Sequence, residues 1–228
     1  MTEPTRGRPP MPPEEILGEA LTLLAVGGLE SLGMRALARR LGSSTSTLYR
    51  QFPGGKDELC TRLAECVMEK IVTEIGSGTD PDAPWDVVVE RSAVISFDML
   101  ERYPHSAALF AGQVHFGPMG LIRYEESLRL LMAAGLPPTA AANADHALAR
   151  LIVGYALQSA TEESPSRATI TEYYRRLDAA DYPSVATVLP ALPEDLRAEF
   201  VFALQTFMTG LRQLVADATD GDTADHGG

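Results

Sequence analysis

Between Arg35 and Lys56 the 228-residue chain gathers groups that exchange hydrogen bonds and groups that carry positive charge. Thr45, Ser46 and Thr47 supply hydroxyls, Gln51 an amide and Tyr49 a phenol, with Arg35, Arg50 and Lys56 around them. Base edges in a DNA major groove display mixed donors and acceptors, and phosphate oxygens line both sides. This set of side chains suits both targets. The expected division puts Thr45, Ser46, Thr47 and Gln51 near base edges, with Arg35, Tyr49, Arg50 and Lys56 mainly on phosphates. A merely solvated helix face would carry more carboxylates than this one does.

The elements that must position these groups are short. Met34, Leu37, Ala38 and Leu41 fall at i, i+3, i+4 and i+7, one apolar face at helical period. Gly33 is an acceptable N-cap, and Gly42 stands where a helix end favours a left-handed residue. After that turn Ser44 caps a second helix running to about Gln51, whose Leu48 and Phe52 point back to a core. The spacing predicts a third, preceding helix from Pro13 to about Val26. Pro13 suits its first turn, Glu14 and Glu15 complement its dipole, and Gly27-Gly28 stops it.

The string Leu37-Ala38, Leu41-Gly42, Ser44, Thr47-Leu48-Tyr49-Arg50-Gln51-Phe52 and Lys56-Asp57-Glu58-Leu59 resembles the TetR family of transcriptional repressors. A helix-turn-helix pattern alone is weak, but LYRQF followed closely by KDEL is specific. The resemblance implies an all-α fold: a three-helix head and a larger helical body that dimerises through a four-helix bundle. It implies double-stranded DNA as partner, with Ser44 included in the contact surface. It also implies that the helix after Lys56 links head to body and touches phosphate at its start.

The net charge of −12 conflicts with DNA binding until it is divided. Residues 1–60 carry Arg6, Arg8, Arg35, Arg39, Arg40, Arg50 and Lys56 against Glu3, Glu14, Glu15, Glu19, Glu30, Asp57 and Glu58, and so balance. All the net acidity lies in the remainder, which DNA repels. Only the head can approach phosphates. No apolar run is long enough to span a membrane, and MTEPTRGRPPMPPEE lacks the apolar stretch of a signal peptide, so cytoplasm is the expected compartment. Cys60 and Cys66 read as inert helix thiols, although redox sensing stays open. No metal-ligand spacing, nucleophile elbow or phosphate loop appears, so neither a cofactor nor an enzyme is expected. His105 and His115 facing one cavity would be the only opening for a metal-assisted site.

The expected organisation is an arm over 1–12, a DNA-binding head over 13–59 and a connecting helix over 60–75. A linker follows over 76–84, then a body over 85–217 and a disordered tail over 218–228. The arm's prolines and arginines suggest disorder, with Arg6 and Arg8 within reach of a minor groove. In the body the helices expected are 85–103, 119–134, 139–161 and 193–217, with a short segment over 105–113. A long connection holding one short helix precedes the last of them. Helix 139–161 is rich in alanine, and 193–217 carries Leu196, Phe200, Leu204, Phe207, Leu211 and Leu214 at spacings close to a heptad seam. A second stripe, Val201, Met208 and Val215, suggests cover from outside the chain's own domain. On the family resemblance, Leu148, Ile152, Phe200, Leu204, Phe207 and Leu211 are the expected dimer contacts. The same resemblance implies an effector cavity. Its expected walls are Phe97, Phe116, Met119, Tyr124 and Tyr155, with His115 and Gln158 as polar anchors and Trp85, Phe110, Tyr173 and Tyr174 as further aromatic candidates. The acidic body argues for a neutral or cationic effector. A regulator that takes no small ligand remains the alternative.

Overall fold

Helical periodicity and capping signals, with no alternating strand pattern, produce an all-α chain. The computed structural model describes residues 11–80, 82–111, 117–160, 167–191 and 195–225. The first helices are α1 (Pro13–Ser31), α2 (Met34–Arg40), α3 (Thr45–Gln51), α4 (Gly55–Gly78) and α5 (Trp85–Arg102). They are followed by α6 (Gly117–Ala133), α7 (Pro138–Ser159), α8 (Arg167–Arg175), α9 (Pro183–Val188) and α10 (Leu196–Asp225). Single 3₁₀ turns stand at Ser106–Leu109 and Leu189–Ala191.

Two apolar cores divide the molecule. Ile16, Leu24, Leu37, Leu48, Phe52, Leu59 and Leu63 are buried around the junction of α1 to α4. A larger core joins α4, α5, α6, α7 and α10 around Val67, Phe97, Leu131, Ala141, Phe200 and Met208. Leu21 and Leu109 pack against both cores, so the 3₁₀ turn after α5 is the joint between head and body. The backbone there is unusual on both sides: His105 has φ 63° and Gly28, which faces it, has φ 61°. A Cβ built on Gly28 lies 3.7 Å from His105 Nδ1.

Several boundaries differ from the sequence expectation. Gly27 and Gly28 break helical geometry, but the chain resumes for one turn to Ser31. Ser31 Oγ lies 2.7 Å from the Leu23 carbonyl oxygen and 2.8 Å from that of Gly28, so its single O–H is shared between two acceptors at the kink. Helix α4 passes through Gly76 to Gly78, shortening the linker to 79–84, because glycine weakens a helix without forbidding it. Helix α6 opens at Gly117-Pro118, two residues before the expected start at 119. The connection after α7 holds two short helices, not one. The tail expected after Ala218 is helical to Asp225, with Thr219 against Gly135 of the α6–α7 turn. The arm's Arg6 and Arg8 lie outside the described residues.

Helix α10 gives the main correction. Phe200, Leu204 and Leu211 are buried within the chain itself, and Met208 of the second stripe is buried with them. Phe207, Val201 and Val215 pack on the same core. Phe200, Leu204, Met208 and Leu211 are thus covered from within the chain, where α10 meets α5 and α7, while Leu214 of the first stripe stays exposed. Leu148 and Ile152 are buried too, so these residues are not a surface awaiting a partner. The apolar side chains that α10 leaves outside are Phe202, 72% exposed, and Leu214, 54% exposed. No helix among the described residues is long and apolar enough to cross a membrane.

Candidate nucleic-acid interface and effector cleft

The turn between α2 and α3 is built by backbone chemistry that fixes the hydroxyl-bearing face. Gly42 has φ 58°, Ser43 N–H donates to Ala38 O at 2.9 Å, and Gly42 N–H donates to Arg39 O at 3.3 Å. This paired closure is a Schellman motif. Ser44 then caps α3, its Oγ accepting from Thr47 N–H at 3.2 Å. The same Oγ lies 2.8 Å from Ser46 Oγ and 2.9 Å from Thr47 Oγ1. The three hydroxyls form one cluster at the helix N-terminus, where unpaired N–H groups also favour a phosphate. Thr45 is half-buried beside them.

Leu48 and Phe52 anchor α3 to the head core, turning Tyr49 and Arg50 outward. Gly55, at φ 65°, lies under the Tyr49 ring; a Cβ there would stand 3.2 Å from Tyr49 Cε1. Tyr49 is therefore braced against the start of α4. Arg35 and Arg39 are exposed, whereas Arg40 is paired with Glu19. Two expected contacts have internal partners. Gln51 Nε2 donates to Met11 O at 3.2 Å, and Lys56 Nζ donates to the Leu29 carbonyl. Each of these bonds uses one donor of its side chain.

The start of α4 is capped by Glu58, which accepts from Gly54 N–H at 2.8 Å. Farther along the same helix, Glu65 crosses to α6: its Oε1 accepts from Met119 N–H at 2.7 Å. Gly117, at φ 73°, sits so close that a Cβ would fall 1.8 Å from Glu65 Oε2. The helix that carries Lys56 at one end is thus clamped to the body midway.

A cleft of about 80 Å³ lies between α4, α5, α6 and α7. Met68 and Ile71 face it from α4, and Leu100, Phe110, Leu148 and Ile152 close much of the rest. Its charged members are Arg123 on α6 and Asp145 on α7. Burial lowers the Arg123 guanidinium pKa, while Asp145 and then Glu126 act to raise it.

Most of the expected wall residues lie elsewhere. Phe97 is fully buried and stacks on Phe200 with ring centroids 4.2 Å apart, and Tyr155 meets Phe200 edge-on at 5.7 Å. These aromatics fill the core between α5, α7 and α10. Tyr124 stacks on His146, Met119 belongs to the Glu65 clamp, and Gln158 is exposed. His115 and Phe116 lie outside the described residues. His105 faces Gly28 and not the cleft. Of the wider aromatic set only Phe110 lines it, and Leu148 and Ile152, expected at the dimer contact, do so too. Arg123, Asp145 and Glu65 had no sequence signal, because isolated charges on helices read as solvated. Among the described residues no three metal-ligating groups come together. Burial raises the thiol pKa of both Cys60 and Cys66, which disfavours the reactive thiolate.

Residues 16–63 match the bacterial regulatory proteins of the tetR family, and residues 78–215 match the tetracyclin repressor-like C-terminal domain. The HTH-type transcriptional repressor DrrR1 of Streptomyces coeruleorubidus is 27% identical over 93% of this chain and 82% of its own length. A solved structure of a possible TetR family transcriptional regulator from Streptomyces coelicolor A3(2) is 29% identical, covering 88% of this chain and 98% of that one with TM-score 0.75. ActR of Streptomyces coelicolor, solved in complex with (S)-DNPA, is 25% identical, covering 90% and 99% with TM-score 0.76. The two family models together span most of the chain, and the chain belongs to the tetR family of transcriptional regulators, not to any class of enzyme.

Proposed function

We propose that the protein is a cytoplasmic, homodimeric repressor that binds a palindromic operator and leaves it when a small, largely apolar effector enters the α4–α7 cleft. The observation that carries this reading is the double role of α4. Its first turn holds Lys56 and braces Tyr49, while Met68 and Ile71, three to four turns on, line the cleft. Anything that widens the cleft pushes on the helix that aims the head. One head spans a few base pairs, so two heads a helical turn or a multiple apart are needed for a selective site. The exposed stripe of α10 around Phe202 and Leu214, with the neighbouring outer face of α7, is the surface for that pairing. ActR's complex supports the ligand arm by analogy, as does a point variant of TetR from Acinetobacter baumannii AYE, 25% identical and solved in complex with minocycline.

The size of the cleft favours one competing reading. Pockets for drug-sized ligands are commonly about 300–1,000 Å³, well above what is open here. A regulator that takes no ligand and responds to a protein partner or to its own concentration would need no larger space. Selection of operator DNA from a random pool, followed by thermal-shift screening of metabolites and antibiotics, separates the two. A compound that raises the melting temperature and releases the selected DNA supports the effector reading. A library without such a compound, alongside tight DNA binding, favours the ligand-free regulator.

A further inference from the structure

We propose that Arg123 is the anchor for an acidic oxygen group, a carboxylate or an ionised phenol or enol, on an otherwise apolar effector ring. This rests on the effector reading above and assigns its ligand a chemical class. Arg123 projects from α6 into a cleft whose other walls, among the described residues, are mainly aliphatic, with Phe110 aromatic, Ser96 polar and Asp145 acidic. A guanidinium presents five N–H donors in a planar fork. Among the described residues none of them has a hydrogen-bonded or ion-paired partner. The polar groups near it do not fill that role. The Ser96 hydroxyl donates to Ser92 O at 2.7 Å, and Asp145 and Glu126 act on Arg123 through their fields without a direct bond. Even with both carboxylates acting to raise it, burial holds the guanidinium pKa below its ordinary value. A ligand oxyanion supplies the missing charge and two acceptors at the fork spacing, the strongest polar contact such a site can make.

Total charge points the other way. The body's net acidity argues for a neutral or cationic effector, but screening confines surface charge to roughly 8–10 Å at physiological salt. Inside a partly dry cleft the nearby groups decide, and of its charged members Arg123 and Asp145 it is Arg123 that offers N–H donors to an oxyanion. An apolar cavity of roughly 150 Å³ admits one benzene, so a ring larger than that must part α6 from α4 on entry. Arg123 sits on the helix that would move, and the same helix is held to α4 by the Glu65–Met119 bond.

The test uses the full chain and a matched pair of probes, 2-naphthoate and 2-naphthamide, titrated calorimetrically. Wild type should bind the acid at least about tenfold more tightly than the amide. Arg123→Met should weaken naphthoate by about tenfold or more while leaving naphthamide within about twofold. Arg123→Gln, which keeps polarity and lowers the risk of misfolding, should give the same pattern. Equal binding of acid and amide by wild type, or no binding of either, overturns the proposal. Unchanged naphthoate affinity in either folded variant also overturns it. DNA binding is measured in parallel on sequences selected from a random pool. If the acid preference fails while DNA is still bound, only the anchor is wrong. If naphthoate binds at Arg123 but the chain selects no DNA, the anchor stands and the regulator reading falls.

Discussion

At the scale of single residues, the head separates groups that build the recognition surface from groups that use it. Ser44 does the first: Ser44→Ala removes the cap of α3 and should cost about 1 kcal/mol of stability, read as a lower melting temperature. Lys56 does the second. Lys56→Ala should weaken binding on every sequence and reduce the salt-dependence slope by about one. Its bond to the Leu29 carbonyl ties the start of α4 to α1, so the variant should also loosen α1 slightly. Gln51 tests which group owns an amide. Gln51→Ala should relax preference at one or two base positions, at about 1–3 kcal/mol each, measured by competition between variant operators. A uniform loss on all sequences would instead assign Gln51 to holding the chain at Met11.

At the scale of elements, local signals and packing signals part company. The α2–α3 turn was legible because Gly42 and Ser44 act within four residues of themselves. Helix existence in the body was legible as well, since apolar periodicity reports that a helix is packed. What it does not report is against what. The α10 stripes looked like a partner's seam, yet Phe200, Leu204, Met208 and Leu211 are buried in the chain's own core. Large aromatics looked like cleft walls, yet their burial stabilises cores most, and Phe97, Phe200 and Tyr155 pack on one another. The cleft is left mainly to aliphatic residues, with Phe110, Ser96, Arg123 and Asp145 among them, and these have no pattern in the chain. The distinction can be measured. Phe202→Asp should yield folded monomers in sedimentation, because the side chain is outside the core. Leu211→Asp should unfold the body, because it buries an unpaired charge. A dimeric Phe202→Asp protein would move the interface off this face.

At the scale of the molecule, the proposed dimer would join two heads and two bodies through the α4 struts into one lever. On that proposal effector and operator compete through the separation of the heads, so each must weaken the other by the same factor. Titrating effector with and without DNA, and DNA with and without effector, gives that factor twice; unequal values would rule out a single two-state equilibrium. Ion pairs between α5 and α10, Arg197 with Asp98 and Arg212 with Asp86 and Glu90, are exposed and add little stiffness. The rigidity needed to pass motion from cleft to head comes from the packed cores and from the Glu65 clamp.

That clamp also constrains how the sequence can drift. A methyl group at position 117 collides with the Glu65 carboxylate, and the backbone there is left-handed in any case. While Glu65 stands, every non-glycine mutant at 117 is penalised twice. Shortening Glu65 first removes the collision but frees the Met119 N–H. The two sites are therefore epistatic and their changes are ordered: position 65 opens the path, and position 117 can follow only afterwards. A lineage that took the steps in reverse would pass through a variant with a strained α6 and a weakened strut between cleft and DNA.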